Sequence, residues 1–235
     1  MKLVYMTVIG LLVSSSVMAS GWDYVSHGPA TWAQLSPEYR LCSDGEQQSP
    51  IDLRDGVLAE VPTLNMHYLN SVGRVVDNGH AVQWTPSENM SVSYEGADYK
   101  LLQIHIHTPS EHLRDGRSFP AEAHMVHQGP SGKLLVVGVF LSQGTSSAFV
   151  DNMLRGLSRQ MTTGLHPSAL LPKNKAVFRY TGSLTTPPCT EGVTWLVMQN
   201  DVSMSPSQLT TLTDLHAGNA RPPQVLHDRV VLLQR

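Results

Sequence analysis

The sequence predicts a β-dominated mixed fold: one large twisted sheet with a few short peripheral helices. Seven segments rich in β-branched and aromatic residues follow one another between positions 72 and 199. Turn chemistry separates them, as in Asp77-Asn78-Gly79, Glu95-Gly96-Ala97-Asp98, Asp115-Gly116 and Gly129-Pro130-Ser131-Gly132. Helical patterning is confined to two stretches.

In chain order, strands are expected over Val72–Val76, Ala81–Trp84, Ser91–Tyr94, Tyr99–His107, Glu122–His127, Leu134–Leu141 and Val193–Gln199. Leu134–Leu141 is apolar on both of its faces, so it should be a central strand covered on each side. The helices are expected over Phe149–Arg159 and Ser205–His216. Ser205-Pro206 opens the second as N-cap and first helical residue. No repeat, low-complexity tract or Pro/Gly/Ser-rich linker divides residues 20–235, which are expected to form a single domain.

Residues 1–19 read as an export signal. Lys2 precedes a mostly apolar run from Leu3 to Val13, and Val17-Met18-Ala19 supplies small residues for cleavage. A buried first strand is the alternative reading. No later stretch reaches the length of a membrane-spanning helix, so no membrane anchor is expected. The formal net charge is −3 and there is no Lys/Arg cluster, which argues against nucleic-acid binding. In an exported chain, Cys42 and Cys189 point to one disulfide, with two unpaired buried thiols as the alternative. Neither sits in a Cys-x-x-Cys spacing.

Chemistry concentrates in Gln103-Ile104-His105-Ile106-His107-Thr108-Pro109-Ser110-Glu111-His112. Strand side chains alternate, so Gln103, His105 and His107 share one face. Glu122 and His124 repeat the two-residue spacing. If the two segments are neighbouring strands, His105, His107 and His124 offer three imidazoles with one coordination position open, as catalytic zinc sites do. Gln103 and Glu122 are placed to hold the far nitrogen of a ligand ring. A lone histidine such as His67, His166, His216 or His227 needs no such role. Iron or manganese in a cupin-type site is a rival. That pattern wants glycine where Tyr99 stands, and Pro-x-Gly where Pro120-Ala121-Glu122 stands.

Further blocks occur in a fixed order: Gln48-Ser49-Pro50-Ile51-Asp52-Leu53, Asn78-Gly79-His80, the histidine run, Glu122-x-His124, and Gly182-Ser183-Leu184-Thr185-Thr186-Pro187-Pro188. Glu191-Gly192-Val193-Thr194-Trp195 and Asn219-x-Arg221-Pro222 follow. Together, from about Trp22 to Arg229, they closely resemble an α-class carbonic anhydrase of the exported bacterial type.

That resemblance implies a mostly antiparallel central sheet and zinc-hydroxide attack on CO₂, giving bicarbonate and a proton. It implies Zn²⁺ on His105, His107 and His124, with Gln103, Glu122 and Asn219 supporting them. Glu111 and Thr185 are implied to orient the attacking oxygen, and Thr185 and Thr186 to face the bound anion. His80 is implied to be the proton shuttle, reached along a water path lined by Tyr24, Asn78 and Gln83. Gln83 stands where asparagine is common, which puts its detailed role in question. Val126, Val136, Leu184, Val193 and Trp195 correspond to the apolar wall for CO₂. Ser49-Pro50 and Pro187-Pro188 correspond to cis bonds, and Cys42 and Cys189 to the family's disulfide. His112 comes out as structural support.

Sulfonamides and small anions are the inhibitors implied, and the periplasm or the exterior is the implied location. A homodimer is left open. A non-catalytic binding module on the same fold and a general zinc esterase are the competing functions. Intact ligand positions argue against the first, and relative efficiency on CO₂ and an ester decides the second.

Overall fold

The structure, a computed structural model, describes residues 21–160 and 162–234; the export signal read at residues 1–19 lies outside the described residues. Ten strands form the backbone of one large sheet: β1 (Val57–Ala59), β2 (Ser71–Asp77), β3 (Val82–Pro86), β4 (Ala97–His107), β5 (Ala121–Gln128), β6 (Leu134–Gln143), β7 (Thr162–Leu165), β8 (Val177–Ser183), β9 (Glu191–Met198) and β10 (Leu232–Gln234). Their spatial order is β7-β2-β3-β4-β5-β6-β9-β8-β10-β1. Pairing along it is antiparallel except between β6 and β9 and between β10 and β1. Two longer helices, α1 (Ala148–Arg159) and α2 (Pro206–Leu215), lie at the periphery.

The expected central strand is β6, buried from Leu135 to Leu141 between β5 and β9. Alternation then gives the sheet two different faces. One carries Ile104, Ile106, Met125, Val137 and Val139 against Phe149, Val150 and Met153 of α1, forming the larger apolar core. The other carries Val126, Val136, Phe140, Val193 and Trp195. Polar histidines share this second face, where the register sets His105 opposite His124 and Gly138 opposite His124 on the other side. A register shift between Leu101 and Gln103 resets the parity of β4 and turns Gln103, His105 and His107 toward that face.

Both helices begin as their sequences dictate. The Ser147 hydroxyl accepts from the Val150 N–H, and Ser205 forms a capping box with Gln208. Gln208 also accepts from the Ser147 N–H and donates to the Ser147 carbonyl, so the two helix starts are locked together. Strand β8 went unread in the sequence. Phe178-Arg179-Tyr180-Thr181 alternates apolar and polar residues as a strand should, and the segment pairs with β9 across the Thr185 loop.

Cys42 and Cys189 are joined by a disulfide and packed on the buried Trp32 ring. Closing a loop of 147 residues stabilises the fold by roughly 2–5 kcal/mol. The Ser49-Pro50, Thr108-Pro109 and Pro187-Pro188 bonds are cis.

One buried histidine belongs to the fold rather than to the site. His127 lies on the core face of β5, where its Nδ1–H donates to the Leu135 carbonyl at 3.3 Å and its Nε2 accepts from the Tyr68 hydroxyl at 2.8 Å. Burial lowers its pKa to about 4. The unfolded chain, near 6.5, therefore protonates first. The stability His127 provides is complete above about pH 6.5, declines as pH falls, and is gone below about pH 4; the shift corresponds to about 3 kcal/mol. In urea unfolding across this window, His127→Leu is expected to lose about 3 kcal/mol less than the parent chain. Parallel curves for the two proteins would contradict the assignment.

Candidate metal centre

His105 and His107 project from β4, and His124 from β5, all from the same sheet face. One ring nitrogen from each lies within 4.8 Å of the others. The opposite nitrogen of each ring is already committed. His105 Nδ1 is 2.8 Å from Gln103 Oε1, His107 Nδ1 is 2.5 Å from the Asn219 carbonyl, and His124 Nε2 is 2.9 Å from Glu122 Oε1. These partners only accept there, so each committed nitrogen carries its hydrogen. The free lone pairs of His105 Nε2, His107 Nε2 and His124 Nδ1 are thereby aimed at one point.

A cation fits that point. Among the described residues, His107 Nε2 and Glu111 Oε2 are buried without a hydrogen-bond partner, and they lie 3.4 Å apart. Such groups are costly to bury unless something compensates them. Burial, reinforced by the mutual repulsion of the three rings, holds His105 well below its ordinary pKa, and burial lowers His107 as well. Burial also opposes protonation of His124, but the Glu122 and Glu111 carboxylates together outweigh it and raise that ring. Three imidazoles without a fourth protein ligand form the donor set of an open, catalytic-type zinc site.

His112, Glu122 and His124 form a second close group of ligand-type side chains. It is spent on hydrogen bonds: His112 Nδ1 is 2.7 Å from Glu122 Oε1 and its Nε2 is 2.6 Å from the Tyr180 hydroxyl. His112 supports the site and has no nitrogen left for a metal. Glu122 Oε2 accepts the backbone N–H groups of Glu111 and His112. Burial would raise the Glu122 pKa, yet His112 and His124 hold it well below the usual carboxylate range.

The other sequence-read residues gather around this centre. A cleft of about 160 Å³ is lined by Tyr24, Asn78, His80, Gln83, Thr186 and the His105 and His107 rings. Asn78 Nδ2 donates to Gln83 Oε1 at 3.2 Å. Val126, Val136, Val193 and Trp195 are in one buried apolar cluster with Leu184 at its margin, and the Trp195 ring is 4.9 Å from that of His124. Thr185 is buried on the loop after β8. Among the described residues, no hydrogen bond joins its hydroxyl to Glu111. Glu111 Oε1 instead accepts the Arg221 N–H at 2.8 Å, while Oε2 faces the ligand rings.

Two contributions exceed what the sequence reading assigned. Asn219 supports His107 through its backbone carbonyl, and its side chain holds Thr108 N–H and the His80 and Ile106 carbonyls. Arg221 is buried and donates to Gln48 Oε1 and to the Ser49 and Cys42 carbonyls, tying the disulfide segment to Glu111. Asn219-x-Arg221-Pro222 was the available signal, but pattern alone does not reveal main-chain contacts. Trp22 was also unassigned; its ring stacks on His80 with centroids 3.7 Å apart.

The family model described as eukaryotic-type carbonic anhydrase matches residues 27–235. A carbonic anhydrase of Pectobacterium carotovorum is 32% identical over 237 residues, spanning 95% of this chain and 97% of its own. One of Neisseria gonorrhoeae is 37% identical over 221 residues, covering 90% and 87%. Among solved structures, the α-carbonic anhydrase of Thermovibrio ammonificans in complex with sulfanilamide superposes with a TM-score of 0.87 at 38% identity, covering 91% of this chain and 99% of its own.

Because Gln103 fixes the His105 ring without touching the metal point itself, Gln103→Leu is expected to weaken metal binding by roughly 10–100-fold in chelator competition. An unchanged affinity would contradict the role given to Gln103.

Proposed function

The chain belongs to the eukaryotic-type carbonic anhydrase family, and from that membership we propose that it hydrates CO₂ with zinc on His105, His107 and His124 and with His80 as proton shuttle. Carbonic anhydrases are carbonate dehydratases, so the reaction class is the interconversion of CO₂ and bicarbonate. The observation that carries the zinc reading is the pre-set hydrogen bonding of the three rings, which leaves three lone pairs converging and one side open. Zinc bound there supplies, as in carbonic anhydrases generally, the Lewis acidity that makes water a nucleophile near neutral pH.

The chain's own residues divide the remaining work. Val126, Val136, Leu184, Val193 and Trp195 offer an apolar wall beside the ligands. A gas without hydrogen-bonding groups is recognised by such a wall and little else. Thr185 and Thr186, on the loop between β8 and β9, orient the reacting oxygen and the product anion, a task shared with Glu111, whose Oε2 faces the His107 and His124 rings. Tyr24, Asn78 and Gln83 give the cleft a polar flank that holds water between the ligands and His80. His80 suits proton uptake because its ring sits at the cleft with a buried, unpartnered Nδ1. Burial, with His216 nearby, lowers its proton affinity, so near neutrality it is neutral and ready to accept.

The Thermovibrio relative was solved in complex with the inhibitor sulfanilamide, and sulfonamides, with small anions, are expected at this site. Export is supported by the disulfide, which suits an oxidising compartment, and no helix of the described residues is long and apolar enough to cross a membrane. Residues 1–19 act in this reading as the signal and 20–235 as one domain.

Stopped-flow CO₂ hydration on protein carrying one zinc per chain is expected to run far above the buffer rate. Activity at the buffer rate would refute the function. His80→Ala is expected to lower the maximal rate about 10- to 100-fold, to leave kcat/KM nearly intact, and to be rescued by imidazole buffers. An unchanged buffer dependence would refute the shuttle.

A further inference from the structure

His216, the residue that ends α2, takes no part in the metal centre, yet it is fixed from three sides. Its N–H donates to the Leu212 carbonyl, its own carbonyl accepts from the Thr108 hydroxyl, and its Nε2 is 2.8 Å from Asp77 Oδ1. Asp77 Oδ1 also accepts the Gly79 N–H at 2.8 Å. One carboxylate oxygen thus joins the end of a helix to the turn that presents His80. Asn78 Oδ1 braces that turn through the His80 and Ala81 N–H groups, and Asn219 holds the His80 carbonyl.

We propose that Asp77 and His216 are a positioning pair for proton exit: they hold the His80 turn against α2, and their placement beside His80 governs how readily it releases its proton. This rests on the reading of His80 as the shuttle. The His216 side chain is 13% exposed and that of Asp77 39%, so the pair is anchored but partly reached by solvent and salt. His80 is faced by Asp23 from the N-terminal segment, by Asp77 from its own turn and by His216 from the helix end. Tyr24, His105 and His107 share its cleft. After burial, His216 is the largest influence lowering the proton affinity of His80, while Asp23 and Asp77 oppose it. The two partners therefore act on His80 in opposite directions.

The test uses zinc-loaded protein, following the His80 ring titration by NMR together with pH profiles of kcat and kcat/KM for CO₂ hydration. His216→Gln is expected to strengthen proton binding by His80, and Asp77→Asn to weaken it, each by roughly two- to fivefold at low salt and less at high salt. The kcat profile is expected to move with the His80 midpoint while kcat/KM holds. Shifts of the same sign in both variants, or no shift in either, would overturn the proposal. His80→Ala separates the layers: if that change leaves kcat and its buffer dependence unaltered, the shuttle reading fails, whatever the two rim variants do to the titration.

Discussion

A single buried carboxylate organises this molecule. Glu122 is fully enclosed on β5, where an isolated negative charge would be prohibitive. It is tolerated because four donors surround it: the His112 and His124 rings on one oxygen, and the Glu111 and His112 backbone N–H groups on the other. Those bonds have consequences beyond solvation. They fix which nitrogen of His124 faces the metal, and they pull the 108–112 loop against the sheet so that Glu111 lies beside the ligands. They also leave His112 Nε2 for Tyr180, whose hydroxyl reaches Ser49 Oγ at 2.8 Å. Gly138, opposite His124, makes the space. A Cβ there would stand 3.1 Å from Glu122 Oε1.

From this centre, order propagates along two routes. One runs through Arg221, which links Glu111 to Gln48, Ser49 and the disulfide segment; burial pulls its guanidinium down to about 10. The other runs through Asn219, which spans His107, Thr108 and His80. The ligand rings are thus held by buried, mutually dependent hydrogen bonds. The proton-exit rim at Asp77 and His216 is held by partly exposed ones. A rigid centre suits charge stabilisation, and a softer, solvated rim suits exchange of protons with buffer.

Much of this was legible in the sequence because it rests on period-two alternation. The parity of Gln103, His105 and His107 and of Glu122 and His124 survives folding directly, since both segments are neighbouring strands. The apolar run of β6 announced its central place for the same reason. What could not be read depends on contacts between distant backbone atoms. Asn219 supports His107 through its backbone carbonyl, and no side-chain pattern reports that. The shift at Leu101–Gln103 adds a residue without any local marker. His127 stands three residues after His124, and that odd separation sends it to the opposite core, where Tyr68 satisfies it.

The central claim is that protein acceptors choose the ligand nitrogens before any metal binds. Long-range ¹⁵N–¹H NMR of the zinc-loaded protein reads each ring's tautomer directly. Nδ1–H rings are expected for His105 and His107 and an Nε2–H ring for His124, with His112 bound to no metal. An Nδ1–H tautomer at His124, or zinc-dependent shifts showing a ligated His112, would contradict it.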